Sequence, residues 1–134
     1  MTSAARARPG RVLILENDTS NRILFADYLE QCGYSVFPLA NEQKIFEALE
    51  RFQPDVLILN LKMPFGNGFS VIAQLRSRPE LQPLAILVVS GYTLASDRQK
   101  ALQLGADAYL TKPVLPSDLS TAVAQLIEAS DLDG

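Results

Sequence analysis

Hydrophobic positions along this chain follow two rhythms. Five short runs are apolar or nearly so: residues 12–15, 34–37, 56–59, 84–89 and 108–110. The first, third and fourth are unbroken and rich in Val, Ile and Leu, the mark of strands covered on both faces. Between the runs the spacing lengthens to that of amphipathic helices. Phe25, Leu29 and Cys32 fall at i, i+4, i+7, and Ile45, Ala48 and Leu49 at i, i+3, i+4. Leu115, Leu119, Val123, Leu126 and Ile127 form the stripe of a last helix ending near Ser130. Gly33 and Gly105 stand where helices end, Asp18 and Ser117 where helices start, and Asn67-Gly68 marks a turn before the third helix. Strand and helix alternating five times predict a parallel sheet with helices on both faces. Right-handed crossovers favour the strand order 2-1-3-4-5.

Composition narrows the chemistry. The 134 residues suffice for one domain with one core, and 48% hydrophobic with 20% charged residues is ordinary for a globular protein. A net charge of -3 argues against nucleic acid and anionic membrane as partners. No histidine is present, which excludes a Ser-His-Asp hydrolase, a His-liganded metal and a phosphohistidine carrier. The single cysteine, Cys32, excludes an internal disulfide and a cysteine-cluster zinc site, and fits a reducing, cytoplasmic setting. Cys32 itself is expected in the core or at a helix end. Residues 1–10 carry arginines without an apolar segment behind them, so they are expected to be a disordered lead and not a secretory signal. Residues 131–134 are expected to be a stub.

In an open α/β sheet, function gathers outside the carboxyl ends of the strands. There the first strand delivers Glu16, Asn17 and Asp18, and the third Asn60, followed by Leu61-Lys62-Met63-Pro64. The fourth delivers Ser90-Gly91 and the fifth Lys112-Pro113. A carboxylate, amides, a hydroxyl and an ammonium would meet in one pocket.

With Gly68 behind the third strand, Val88-Val89-Ser90-Gly91-Tyr92 and the segment Gly105-Ala106-Asp107-Ala108-Tyr109-Leu110-Thr111-Lys112-Pro113, this order resembles the receiver domain of two-component response regulators. The resemblance covers residues 11–130 and implies the flavodoxin-like (βα)5 three-layer sandwich. It also implies roles. Two acids after the first strand and an acceptor aspartate after the third hold Mg²⁺, with a carbonyl two residues beyond the acceptor, here that of Lys62. A Ser or Thr and a Lys bind the phosphoryl group, matched by Ser90 and Lys112, and a switch aromatic is matched by Tyr109. A cis Lys112-Pro113 bond is implied as well. Glu16 matches the first acid, but Asn17 stands at the second and Asn60 at the acceptor.

Both departures weaken the same chemistry. A neutral carboxamide is not a competent phosphoryl acceptor. Two formal charges are missing from a Mg²⁺ site that favours anionic oxygens, so Mg²⁺ binding is expected to be weak or absent, with no other cofactor. Lys112 is then expected to pair with Glu16 and to hydrogen-bond Asn60, while Asp18 caps the first helix. The resulting expectation is a non-enzymatic, atypical receiver (a pseudo-receiver) of a phosphorelay. It would contact a sensor kinase, an output domain or itself through the surface of the fourth helix, fifth strand and fifth helix, residues 93–130. Tyr92, Leu94, Tyr109 and Leu115 are its candidate exposed contacts, while Phe65 and Phe69 are expected to pack. The alternative is an ordinary phosphate-accepting receiver carrying an engineered Asp-to-Asn change at Asn60. A flavin or nucleotide binder fits poorly, because residues 16–21 have no glycine and two carboxylates where a phosphate loop belongs. An enzyme with Ser90 or Lys112 as nucleophile would have only Glu16 as a base.

Overall fold

The structure, a computed structural model, describes residues 9–133. The lead expected over residues 1–10 lies outside that range apart from Pro9 and Gly10. Strands β1 (Arg11–Leu15), β2 (Ser35–Leu39), β3 (Val56–Leu59), β4 (Ala85–Ser90) and β5 (Ala108–Thr111) form one parallel sheet in the order β2-β1-β3-β4-β5. They alternate with α1 (Thr19–Gln31), α2 (Ile45–Phe52), α3 (Gly68–Arg76), α4 (Ala95–Leu104) and α5 (Pro116–Asp133). The expected fold class is what the chain adopts.

The unbroken apolar runs follow from a sheet covered on both sides. Side chains alternate faces along a strand. Leu13, Leu15, Leu57, Leu59, Ile86 and Val88 join the core under α2 and α3. Val12, Ile14, Val56, Ile58, Leu87 and Val89 join the opposite core with Phe25 and Leu29 of α1 and Leu119 and Val123 of α5. Neither face is left for polar residues, so the sequence shows no alternation.

The edges differ from expectation in instructive ways. β2 runs past Phe37 through Pro38 to Leu39, because an edge strand tolerates a proline. α5 does not stop near Ser130; nothing in Asp131-Leu132-Asp133 breaks a helix, so the expected stub is helical through Asp133. Ser117 does not cap α5, which begins one residue earlier at Pro116, a residue suited to a first helical turn. Asp18 does cap α1, accepting the Asn21 amide at 2.8 Å, and Asn67 caps α3, accepting the Ser70 amide at 2.9 Å. Cys32 lies at the end of α1 and is exposed, outside the core stripe.

Arg76 ties the far ends of several elements together. Its guanidinium donates to Gly105 O at 2.9 Å, Leu81 O at 3.0 Å and Asp107 Oδ2 at 3.0 Å. The same Asp107 oxygen accepts the Ile86 amide at 2.7 Å, which seats the loop before β5 on β4. Arg76→Ala strips donors from half-buried carbonyls and is expected to cost about 2 kcal/mol in urea unfolding. No helix among the described residues is long and apolar enough to cross a membrane.

Candidate functional site

The site is assembled where β1, β3, β4 and β5 end. Glu16 follows β1 with its backbone still in the sheet, its amide donating to Leu39 O at 3.0 Å. Its side chain turns inward and is only 2% exposed. Such a carboxylate must be hydrogen-bonded on every side. Lys112 Nζ donates to Oε1 at 2.6 Å. The Asp18 amide and Asn60 Nδ2 donate to Oε2 at 2.9 and 3.1 Å.

Asn60 continues β3, its amide donating to Leu15 O at 3.1 Å. Its side chain is buried, and its amide nitrogen also donates to Asn17 Oδ1 at 3.0 Å. Glu16 can only accept, which fixes the amide's orientation: nitrogen toward Glu16, oxygen toward the Lys62 amide at 3.4 Å. The structure corrects one expectation here. Lys112 pairs with Glu16 as anticipated, but the partners of Asn60 are Glu16, Asn17 and the Lys62 backbone, and not the lysine. One lysine contact to one carboxylate oxygen leaves the other oxygen for the amide.

Ser90 is fully buried at the end of β4. Its carbonyl accepts the Lys112 amide at 2.8 Å, and its hydroxyl accepts the Tyr92 amide at 3.0 Å. The Lys112-Pro113 bond is cis. Tyr109 is buried, which corrects its expected role as an exposed contact: its phenol donates to Tyr92 O at 2.8 Å. The chain 90–92 thus holds Lys112 on one side and Tyr109 on the other. Tyr92, Leu94 and Leu115 are exposed as expected. Phe65 is not packed but 62% exposed, on a turn whose Phe65 amide donates a hydrogen bond to Glu42 Oε2 at 3.1 Å. Phe69 does pack, with Lys100 Nζ 4.4 Å from its ring centre.

Burial pushes the Tyr109 phenol above its ordinary value; Asp97 and Tyr92 add to the rise, while Ser90 and Arg98 oppose it. Folding therefore holds this proton more tightly than the unfolded chain does. Its stabilising contribution is complete below the ordinary tyrosine pKa of about 10 and is lost as pH climbs through the raised value. Tyr109→Phe is expected to remove that part of the alkaline loss of stability, read from denaturant unfolding on either side of about pH 10.

Arg22 was not among the expected residues. From the first turns of α1 it donates to Glu16 O at 2.9 Å and to Asn17 O at 3.4 Å, pinning the loop that carries both. The legible signal was a long cation one helical turn beyond a loop with unpaired carbonyls.

The response regulator receiver domain family matches residues 12–124. The chain is 32% identical over 120 residues to the protein RcaC of Microchaete diplosiphon, covering 90% of this chain and 18% of RcaC. It is 26% identical over 122 residues to the polar-differentiation response regulator DivK of Brucella anthropi, covering 90% of this chain and 99% of DivK. Among solved structures, the signal receiver domain of a LuxO repressor protein from Vibrio parahaemolyticus superposes with a TM-score of 0.86 at 28% identity, covering 94% of this chain and 95% of that one. A CheY-like receiver domain protein from Methanospirillum hungatei gives 0.85 at 26%, covering 94% and 99%. Matched over most of its length, the chain belongs to the response regulator receiver domain family of two-component signalling.

Proposed function

We propose that this chain is a receiver module that takes up no phosphoryl group and signals through protein contacts. The observation that carries the reading is the Asn60 amide donating to both Glu16 and Asn17. A carboxylate in that place would set oxygen against oxygen 3.1 Å from Glu16 and would need a cation between them. The amide instead supplies its own hydrogens, and Lys112 supplies the positive charge. The donor set does not suit Mg²⁺. It has one carboxylate, both of whose oxygens are engaged, and the Asn17 oxygen is engaged as well. An amide oxygen at Asn60 is a poor nucleophile toward phosphorus.

Contacts then carry the signal. Receiver domains as a family interact with kinases and output domains. Here the exposed Tyr92 and Leu94 beside α4 and Leu115 before α5 support the surface over residues 93–130 as the meeting face. The partner is a sensor kinase, an output domain or a second copy.

Mass spectrometry after incubation with a small acyl phosphate and Mg²⁺ tests the reading, with no phosphoryl adduct expected on the intact chain. Asn60→Asp alone is expected to remain a poor acceptor, and Asn60→Asp with Asn17→Asp to gain acceptance. Efficient labelling of the single variant would instead support an otherwise ordinary receiver altered at Asn60.

A further inference from the structure

The amino-terminal edge of the sheet, opposite the site, holds a cleft of about 570 Å³. Small-molecule sites fall in the range of about 300–1,000 Å³. Its lining comes from α2, the turn into β3, the segment leading into β4 and Ser130 of α5. Phe46, Leu49, Leu81 and Leu84 make the lining apolar on one side. Glu47, Glu50, Asp55 and Glu80 bring carboxylates to it, against one lining cation, Arg78.

The acids are not equally occupied. Glu47 stays with Arg51 at 3.8 Å, and Asp55 Oδ2 accepts the Arg11 amide at 2.8 Å. Glu50 and Glu80 are exposed and have no partner among the described residues. Arg78 is laid on the Phe46 ring, 3.9 Å from its centre, so the wall already takes a planar cation over an aromatic face. Gln53 adds a second, independent sign. It ends α2 at φ 51°, a left-handed conformation that glycine takes without strain. A glutamine stands there instead, and its side chain lines the cleft with no hydrogen-bond partner among the described residues. Backbone strain of this kind gathers at ligand sites, and the amide offers both a donor and an acceptor to an occupant.

We propose that this cleft is a binding site for a small organic cation, an ammonium or amidinium group on a compact apolar body. The charge turns toward Glu50 and Glu80, the amide of Gln53 completes the polar contacts, and the body rests on Phe46, Leu49 and Leu81. Such a ligand joins α2 to the segment before β4. The site is separate from the face over residues 93–130 and does not depend on the chemistry of Asn60.

The test records backbone amide spectra of the full chain during titration with benzamidinium, phenethylammonium and cyclohexylammonium, in about 0.15 M NaCl to suppress diffuse attraction to an acidic protein. Benzamide, the neutral counterpart of benzamidinium, is titrated alongside. The expected result is saturable shifts confined to residues 46–55 and 78–84 with at least one of the three cations, and binding of benzamide weaker by about tenfold. Glu50→Gln with Glu80→Gln, both at exposed positions, should weaken the cation by about tenfold and leave the spectrum otherwise folded. Absence of saturable shifts from all three cations would overturn the proposal, as would shifts scattered over the surface. Benzamide binding as tightly as benzamidinium, or cation binding indifferent to the double substitution, would overturn it as well. So would a peptide, acetyl-Leu-Arg-Leu-Arg-amide, that shifts the same residues and binds more tightly by about a hundredfold, because the cleft would then be a docking groove for a basic segment of a protein.

Discussion

Lys112→Met is expected to destabilise the domain by about 3 kcal/mol, because it leaves a buried carboxylate without its cation. The Glu16 side chain is 2% exposed and that of Lys112 only 19%, so water cannot take over the lysine's task. Methionine keeps the apolar stem and removes the ammonium, so the loss reports the charge and not a cavity. The remaining donors to Glu16, the Asp18 amide and Asn60 Nδ2, are neutral. Adding Glu16→Gln should recover much of the loss, since the uncompensated charge disappears. Chemical denaturation of the two single variants and the double variant measures this. Equal losses for Lys112→Met with and without Glu16→Gln would mean that the ion pair contributes little.

Gly68→Ala is expected to cost a comparable amount, by displacing backbone. A Cβ at Gly68 would stand 2.6 Å from Leu61 Cα and 3.2 Å from Asn60 O. The Gly68 amide donates to Leu61 O at 2.7 Å, so α3 begins hard against the segment that carries Asn60. Main chain cannot swing aside as a long side chain can, and overpacking of this kind costs about 1–3 kcal/mol or more. The variant should unfold at lower denaturant and shift the amide resonances of Asn60 and Lys62. A methyl group accepted there without loss would show that the start of α3 is free to move away from β3.

The three central strands were legible because burial on both faces leaves one kind of residue along them: 12–15, 56–59 and 85–89 are apolar throughout. Outer elements were read less well. Tyr34 was counted into β2 and Pro38 out of it, because the apolar run was closed at Phe37, although the expected strand order already put this strand at an edge, where a proline is tolerated. The apolar stripe of α5 was clear at Leu119, Val123 and Ile127, yet its end was not, for lack of a glycine or proline before Gly134. At the site, residue types placed Glu16 beside Lys112 correctly, since a buried acid and a nearby ammonium leave few other pairings. They did not place the partners of Asn60, because an amide accepts and donates and sequence spacing does not say which end faces the carboxylate. Tyr109 and Phe65 went wrong in opposite directions for a related reason. The reach of an aromatic ring depends on turns at 92 and 65 whose backbone partners, Tyr109 Oη and Glu42, are distant in sequence.

Pro38 has one more effect, on how copies of this protein meet at high concentration. The Ser35 amide donates to Gly10 O and Leu39 O accepts the Glu16 amide, so residues 35, 37 and 39 face β1 while Val36 and Pro38 face outward. The outer rim of β2 therefore lacks a donor at Pro38, and a stray strand laid along it meets a ring where it needs an N–H. Templated growth of the sheet from this flank is blocked by a single imino acid.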